Sequence, residues 1–188
     1  MNSDTPSLLA QIDQLKSQLD ALRPPPEHTV RTLHEQQVLE WTYHSNAIEG
    51  NTLTLKETKV VLEGITIGGK SIREHFEAIN HHEAIHHVET MVSGEEALGE
   101  GEIKYVHQLV WKNIDDQNAG RYRQHNVVIP CASHTPVDLF QLPQAMNDLM
   151  VWYHRAADLH PLTQAARLHV HFVGIHPFVD GNGRTARL

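Results

Sequence analysis

Apolar residues recur along most of the chain at three- and four-residue steps, the period of helices seated on a core. Leu8, Ile12, Leu15, Leu19 and Leu22 alternate between the two steps, a seam of about two heptads. It predicts a helical arm over residues 1–23 that packs on its own domain or, alternatively, on a second copy as a homodimer. Pro24, Pro25 and Pro26 interrupt the pattern and mark a linker over 24–28. A helix from about Thr29 to Glu49 follows, with Val30, Leu33, Val38, Trp41 and Ile48 as candidate buried positions and Gly50 as its stop. Thr54 with Glu57 and Ser71 with Glu74 are capping boxes. The first opens a short helix ending at Gly64. The second opens a long one, with Ile72, Phe76, Ala84 and Val88 on one row interrupted by Asn80.

After a loop over Gly94–Gly101 and a helix over Glu102–Ile114, the helical spacing is lost between Tyr122 and Phe140. Val127, Val128 and Ile129 are β-branched there, and Pro130 and Pro136 punctuate the stretch, which predicts a hairpin or extended flap. Helices resume at about Leu142–Ala157 and Leu162–Ile175. The pattern predicts an all-α, mostly helical fold with a small β-hairpin flap, its domain running over 29–188.

Composition narrows the classes of function. The 188 residues suit one domain, and 40% hydrophobic residues supply its core. A formal charge of −8 argues against bulk attraction to nucleic acid or an anionic membrane. The single cysteine, Cys131, rules out an internal disulfide framework and a four-thiolate zinc site. With a polar start unlike a secretory signal and no apolar run of membrane-spanning length, a cytoplasmic location is expected.

Chemistry concentrates in residues 176–187. An apolar helix ends at Ile175 and Pro177 forbids its continuation. Gly181-Asn182-Gly183 tolerates left-handed backbone angles and can aim successive N–H groups into an anion-binding concavity. A new helix begins near Gly183, and its free amides and dipole favour phosphate. Arg184 and Arg187, three apart, can both reach the anion. Asp180 adds a hard oxygen ligand suited to Mg²⁺, and His176 a proton acceptor near neutral pH. Together these groups suit phosphate-transfer chemistry. A glycine-rich helix–helix turn with capping residues is the plainer alternative.

The segment His176-Pro177-Phe178-Val179-Asp180-Gly181-Asn182-Gly183-Arg184-Thr185-Ala186-Arg187 resembles the complete signature of the Fic family. The resemblance implies transfer of AMP from ATP, with Mg²⁺, to a Ser, Thr or Tyr hydroxyl of a target protein. It implies that His176 deprotonates the hydroxyl, Phe178 anchors the loop, and Asp180 binds Mg²⁺. Gly181, Asn182 and Gly183 would cradle the α- and β-phosphates, Arg184 would assist, and Arg187 would hold the γ-phosphate. Both glycines of the signature are present, which favours adenylylation over the family's kinase-like branch.

Ser45-Asn46-Ala47-Ile48-Glu49-Gly50-Asn51 resembles the family's inhibitory helix, over about 42–50 here. By that resemblance Glu49, with Ser45 and Gly50, competes for Arg187, since a carboxylate–arginine fork can displace phosphate. On its own, Glu49 before Gly50 is an ordinary helix end. In some relatives this glutamate also supports removal of AMP. The flap over Asn126–Pro136 resembles the strand pair where a target segment docks by strand addition. The signature ends one turn into a helix that family members continue, so a chain truncated at Leu188 is expected.

Two other readings compete. His82-Glu83-Ala84-Ile85-His86 matches a zinc-peptidase helix motif, with Glu102 as a candidate third ligand. Sixteen histidines make a chance match of this kind easier. A catalytically silent Fic-fold binding module is the second alternative.

Overall fold

The computed structural model describes residues 5–129 and 134–188. Its elements are α1 (Thr5–Ala21), α2 (Glu27–Ile48), α3 (Leu55–Leu62), α4 (Ile72–Ser93) and α5 (Glu100–Trp111). A single 3₁₀ turn (Leu139–Gln141) precedes α6 (Leu142–Arg155), α7 (Pro161–Ile175) and α8 (Asn182–Arg187). Two compact units are distinguished, Met1–Val38 and Leu39–Leu188. In the first, Leu8, Leu15 and Leu19 of α1, and Leu22 just after it, are exposed.

Both capping boxes form. The Thr54 and Ser71 side chains accept from the amides of Glu57 and Glu74, whose carboxylates reach back to the cap amides. Glu74 also accepts from the amide and hydroxyl of Thr52, which ties the segment after α2 to the start of α4.

In the second unit α4 packs on α3 and α5, α6 on α7, and α8 on α5 and α7. The largest apolar cluster joins Ile103 of α5, Leu142, Met146, Leu149 and Met150 of α6, Phe172 and Ile175 of α7, and Phe178 from the loop beyond. That loop is therefore anchored in the core by its own aromatic ring.

Two helices follow the expected burial only in part: Val38 of α2 is buried, as are Asn80 and Ala84 at the centre of the α4 row, but other positions depart from it. On α2, Val30, Leu33 and Ile48 are exposed, whereas Thr42, Ser45 and Asn46 are buried. On α4, Ile72 is exposed while His75, Glu77, Asn80 and His81 are buried. Specific partners compensate the desolvation of Asn46, Asn80 and His75, whereas His81 is buried with neither ring nitrogen bonded among the described residues. Asn46 Nδ2 donates to the Glu77 carbonyl, and Asn80 Nδ2 to the carbonyls of Val110 and Lys112, closing the end of α5. His75 Nε2 accepts from the Ile67 amide.

The flap is a second correction. Among the described residues no strand forms between Tyr122 and Phe140; Pro130 and Cys131 lie outside the described residues. Side chains perform the cross-linking that a ladder would provide. The buried Arg123 guanidinium donates to the His125 carbonyl at 3.0 Å and to the Val137 carbonyl. Asn126 Oδ1 accepts from the Leu139 amide and Asn126 Nδ2 donates to Asp138.

Candidate active site

Helix α7 ends by placing His176 in the left-handed region, at φ 55° and ψ 61°. Non-glycine residues seldom sit there, so the surroundings must hold it. Arg123 does so from two directions. Its Nε donates to the His176 carbonyl at 3.0 Å, and its own amide donates to the Pro177 carbonyl at 3.0 Å. Burial lowers the His176 pKa and the Val173 carbonyl partly opposes this; the Arg123 charge lowers it further, while Asp180 and Glu49 raise it. The imidazole is thus biased toward its neutral, proton-accepting form.

The turn closes on itself. Asn182 Oδ1 accepts from the Phe178 amide and its Nδ2 donates to the Phe178 carbonyl, each at 2.9 Å. Phe178 is fully buried, and its ring lies flat on His107 with centroids 3.7 Å apart and planes 4° apart. Gly181 takes φ +75°, and a Cβ there would meet His107 and Trp111 at 3.2 Å. Both the left-handed angle and the close floor therefore require glycine.

Asp180 projects from this turn with its side chain 55% exposed, 3.5 Å from Arg73. Its Oδ1 accepts from the Gly181 amide at 2.6 Å. One exposed carboxylate beside backbone donors fits Mg²⁺, which commonly takes one or two carboxylates and fills its shell with phosphate oxygens and water.

The two arginines of α8 part company. Arg184 is buried: NH1 lies 3.1 Å from Glu77 and the guanidinium sits 4.9 Å from the Trp111 ring centre. Arg73 approaches the same carboxylate at 3.1 Å and the same indole at 5.2 Å, so Glu77 serves two cations. Arg187 instead reaches α2. Its Nε donates to Ser45 Oγ at 2.9 Å, and its NH2 to the Ser45 carbonyl at 2.9 Å and to Glu49 Oε1 at 2.6 Å. Glu49 lies so close over Gly183 that a Cβ there would stand 2.3 Å from Oε1. Gly50 follows at φ +92°, a C-terminal cap position suited to glycine.

The other histidine motif stays apart. The rings of His82 and His86 touch at 4.5 Å, but Glu83 pairs with Lys112 and Glu102 faces His87 at 4.0 Å. Among the described residues no group of three His, Cys, Asp or Glu is placed to hold a metal. The sequence pattern does not single out His107, Glu77 or Trp111, and it marks Arg123 only as part of the Gly120-Arg121-Tyr122-Arg123 stretch that leads into the flap. For His107 and Glu77 the only signal is a polar side chain beside apolar residues of a helix.

The helical domain thus presents a histidine, a carboxylate and a glycine-rich turn side by side, the groups that phosphate-transfer chemistry would require. The sequence pattern of the Fic/DOC family matches residues 97–188. The chain is 36% identical over 185 residues to the protein adenylyltransferase Fic of Nematostella vectensis, covering 96% of this chain and 43% of that protein. It is 34% identical over 186 residues to the protein adenylyltransferase fic-1 of Caenorhabditis elegans, covering 96% and 36%. Among solved structures, a Fic domain containing signaling protein from Bacteroides thetaiotaomicron superposes with a TM-score of 0.85 at 31% identity, covering 93% of this chain and 68% of that one. Fic-1 of C. elegans superposes at 0.86 with 29% identity, covering 96% and 54%. The chain belongs to the Fic/DOC family, and it spans less than half the length of the curated relatives it matches.

Proposed function

We propose that this chain is an ATP-dependent protein adenylyltransferase held in check by its own Glu49. The observation that supports it most is the gathering of His176, Asp180 and the Gly181–Gly183 turn with Arg187 of α8, Glu49 Oε1 standing 2.6 Å from the Arg187 guanidinium. The names of the relatives carry the nature of the transferred group.

In the reaction His176 removes the proton of a target Ser, Thr or Tyr hydroxyl as that oxygen attacks the α-phosphorus of ATP. The bond to the β-phosphate oxygen breaks, pyrophosphate leaves, and the target keeps an AMP ester. The amides of the 181–183 turn and the start of α8 hold the phosphate oxygens, and Arg187, once released, holds the γ-phosphate. Bound at Asp180, Mg²⁺ would neutralise charge on the phosphates. With Arg187 taken by Glu49 and Ser45, ATP lacks its outer anchor and the α-phosphorus is not presented in line.

The same proposal includes docking of a target segment along Asn126–Pro136 and a cytoplasmic setting. Among the described residues no helix is long and apolar enough to cross a membrane. Removal of AMP by a water aligned through Glu49 is the second activity of this site, favoured by the carboxylate standing over Gly183. The test uses Mg²⁺ with ATP labelled at the α or the γ position. Label transferred to protein from the α position alone, lost in His176→Ala, supports the proposal. Label from the γ position would make the chain a kinase.

A further inference from the structure

The active-site turn rests on a histidine outside the family signature. His107 of α5 is buried, and both of its ring nitrogens are engaged by backbone. Its Nδ1 accepts from the Gly120 amide at 2.9 Å, so that nitrogen carries no proton. The ring proton therefore sits on Nε2, which donates to the Asp180 carbonyl at 3.0 Å. The ring stacks on Phe178, and the Trp111 ring centre is 6.2 Å from its own, with the planes 20° apart.

This single bond has a consequence for phosphate. The peptide joining Asp180 and Gly181 is planar and trans, so its carbonyl and its N–H point in opposite directions. With the carbonyl aimed inward at His107, the Gly181 N–H points outward into the turn, where the Asp180 carboxylate now stands at 2.6 Å. Gly181 tolerates backbone angles of either sign, so its own backbone does not forbid the reversed peptide. The reversed peptide would aim a carbonyl oxygen at the phosphates instead of a donor.

We propose that His107, as its Nε2–H tautomer, is a positioning residue that locks the Asp180–Gly181 peptide with its N–H toward the nucleotide phosphates. The inference rests on the phosphate-site reading of the Gly181–Gly183 turn. His107 does not touch substrate; it acts through the orientation of that peptide.

The experiment uses the full chain carrying Glu49→Gly, with Mg·ATP affinity read by calorimetry beside thermal unfolding. His107→Phe keeps a flat ring against Phe178 and loses both hydrogen bonds. His107→Gln loses the ring and returns an amide donor near the Nε2 position. H107F is expected to weaken Mg·ATP binding by about tenfold, the worth of one well-made hydrogen bond, and H107Q to recover most of it despite the lower melting temperature. A packing role alone would make affinity follow melting temperature, and that result overturns the inference, as does H107F binding as tightly as its parent. If H107F does not fold, ¹⁵N-histidine NMR of the unmodified protein decides. A proton on Nε2 with a bare Nδ1 supports the inference, and a proton on Nδ1 overturns it. A Glu49→Gly parent that binds no Mg·ATP defeats the phosphate-site reading first, and the inference falls with it.

Discussion

Arg187 donates to Glu49 Oε1 at 2.6 Å across 138 residues of sequence. The same guanidinium gives its Nε and a second bond from NH2 to Ser45, so two of its three nitrogens are committed to α2. A charge-assisted pair of this kind contributes roughly 1.5–3 kcal/mol, so its removal should raise AMP transfer by about 10- to 100-fold. Initial rates of α-label incorporation for Glu49→Gly against the unmodified chain measure this. Ser45→Ala, which leaves the carboxylate pair in place, should give a smaller rise.

Gly183 lies directly beneath that carboxylate, and a Cβ would stand 2.3 Å from Glu49 Oε1. Gly183→Ala should therefore cost about 1–3 kcal/mol of stability through crowding, and most of that cost should vanish in the Glu49→Gly background. Denaturant unfolding of the two single variants and the double variant closes the cycle. Equal penalties in both backgrounds would separate Gly183 from the Glu49–Arg187 contact.

His176 has its pKa lowered, chiefly by burial. A lowered value keeps the base neutral to lower pH than a free imidazole allows, so the acid limb of the Glu49→Gly rate profile should fall below the ordinary histidine value near 6.5. Initial rates between pH 5 and 8 locate the limb. A limb above that value would require a raised pKa in the complex.

His81 is fully buried on α4, and neither ring nitrogen has a hydrogen-bond partner among the described residues. Burial, then the charges of Arg184 and Arg187, push its pKa down to about 3. The folded state thus binds its proton less readily than the unfolded chain does. Stability from this site is complete above about pH 6.5 and declines as pH falls toward about 3, by up to about 1.4 kcal/mol per pH unit. His81→Gln should shrink the stability difference between pH 7 and pH 5 by about 2 kcal/mol. Urea unfolding at the two pH values checks it, and an unchanged difference would contradict the assignment.

What the sequence disclosed follows from where each structure is encoded. The turn over 176–183 and both capping boxes are local, and the residue types that form them lie within a few positions of one another. The pairing of Glu49 with Arg187 is not local; only the likeness of Ser45–Asn51 to a known inhibitory helix pointed to it. Apolar spacing located Val38 and the row through Asn80 and Ala84 but missed the burial of Asn46 and Glu77, which follows from hydrogen bonds that periodicity does not register. The flap failed for a related reason. β-Branched residues favour extended backbone, but Arg123 and Asn126 take the carbonyls and amides that a ladder would have used.

Competition between a carboxylate and a phosphate for one guanidinium is most directly measured by comparing ATP with ADP, which differ by the γ-phosphate alone. With Mg²⁺ present, the unmodified chain should bind the two nucleotides about equally. Glu49→Gly should prefer ATP by about tenfold, and adding Arg187→Ala should erase that preference. An ATP-to-ADP ratio that Glu49→Gly leaves unchanged would mean that Arg187 is not the group Glu49 withholds.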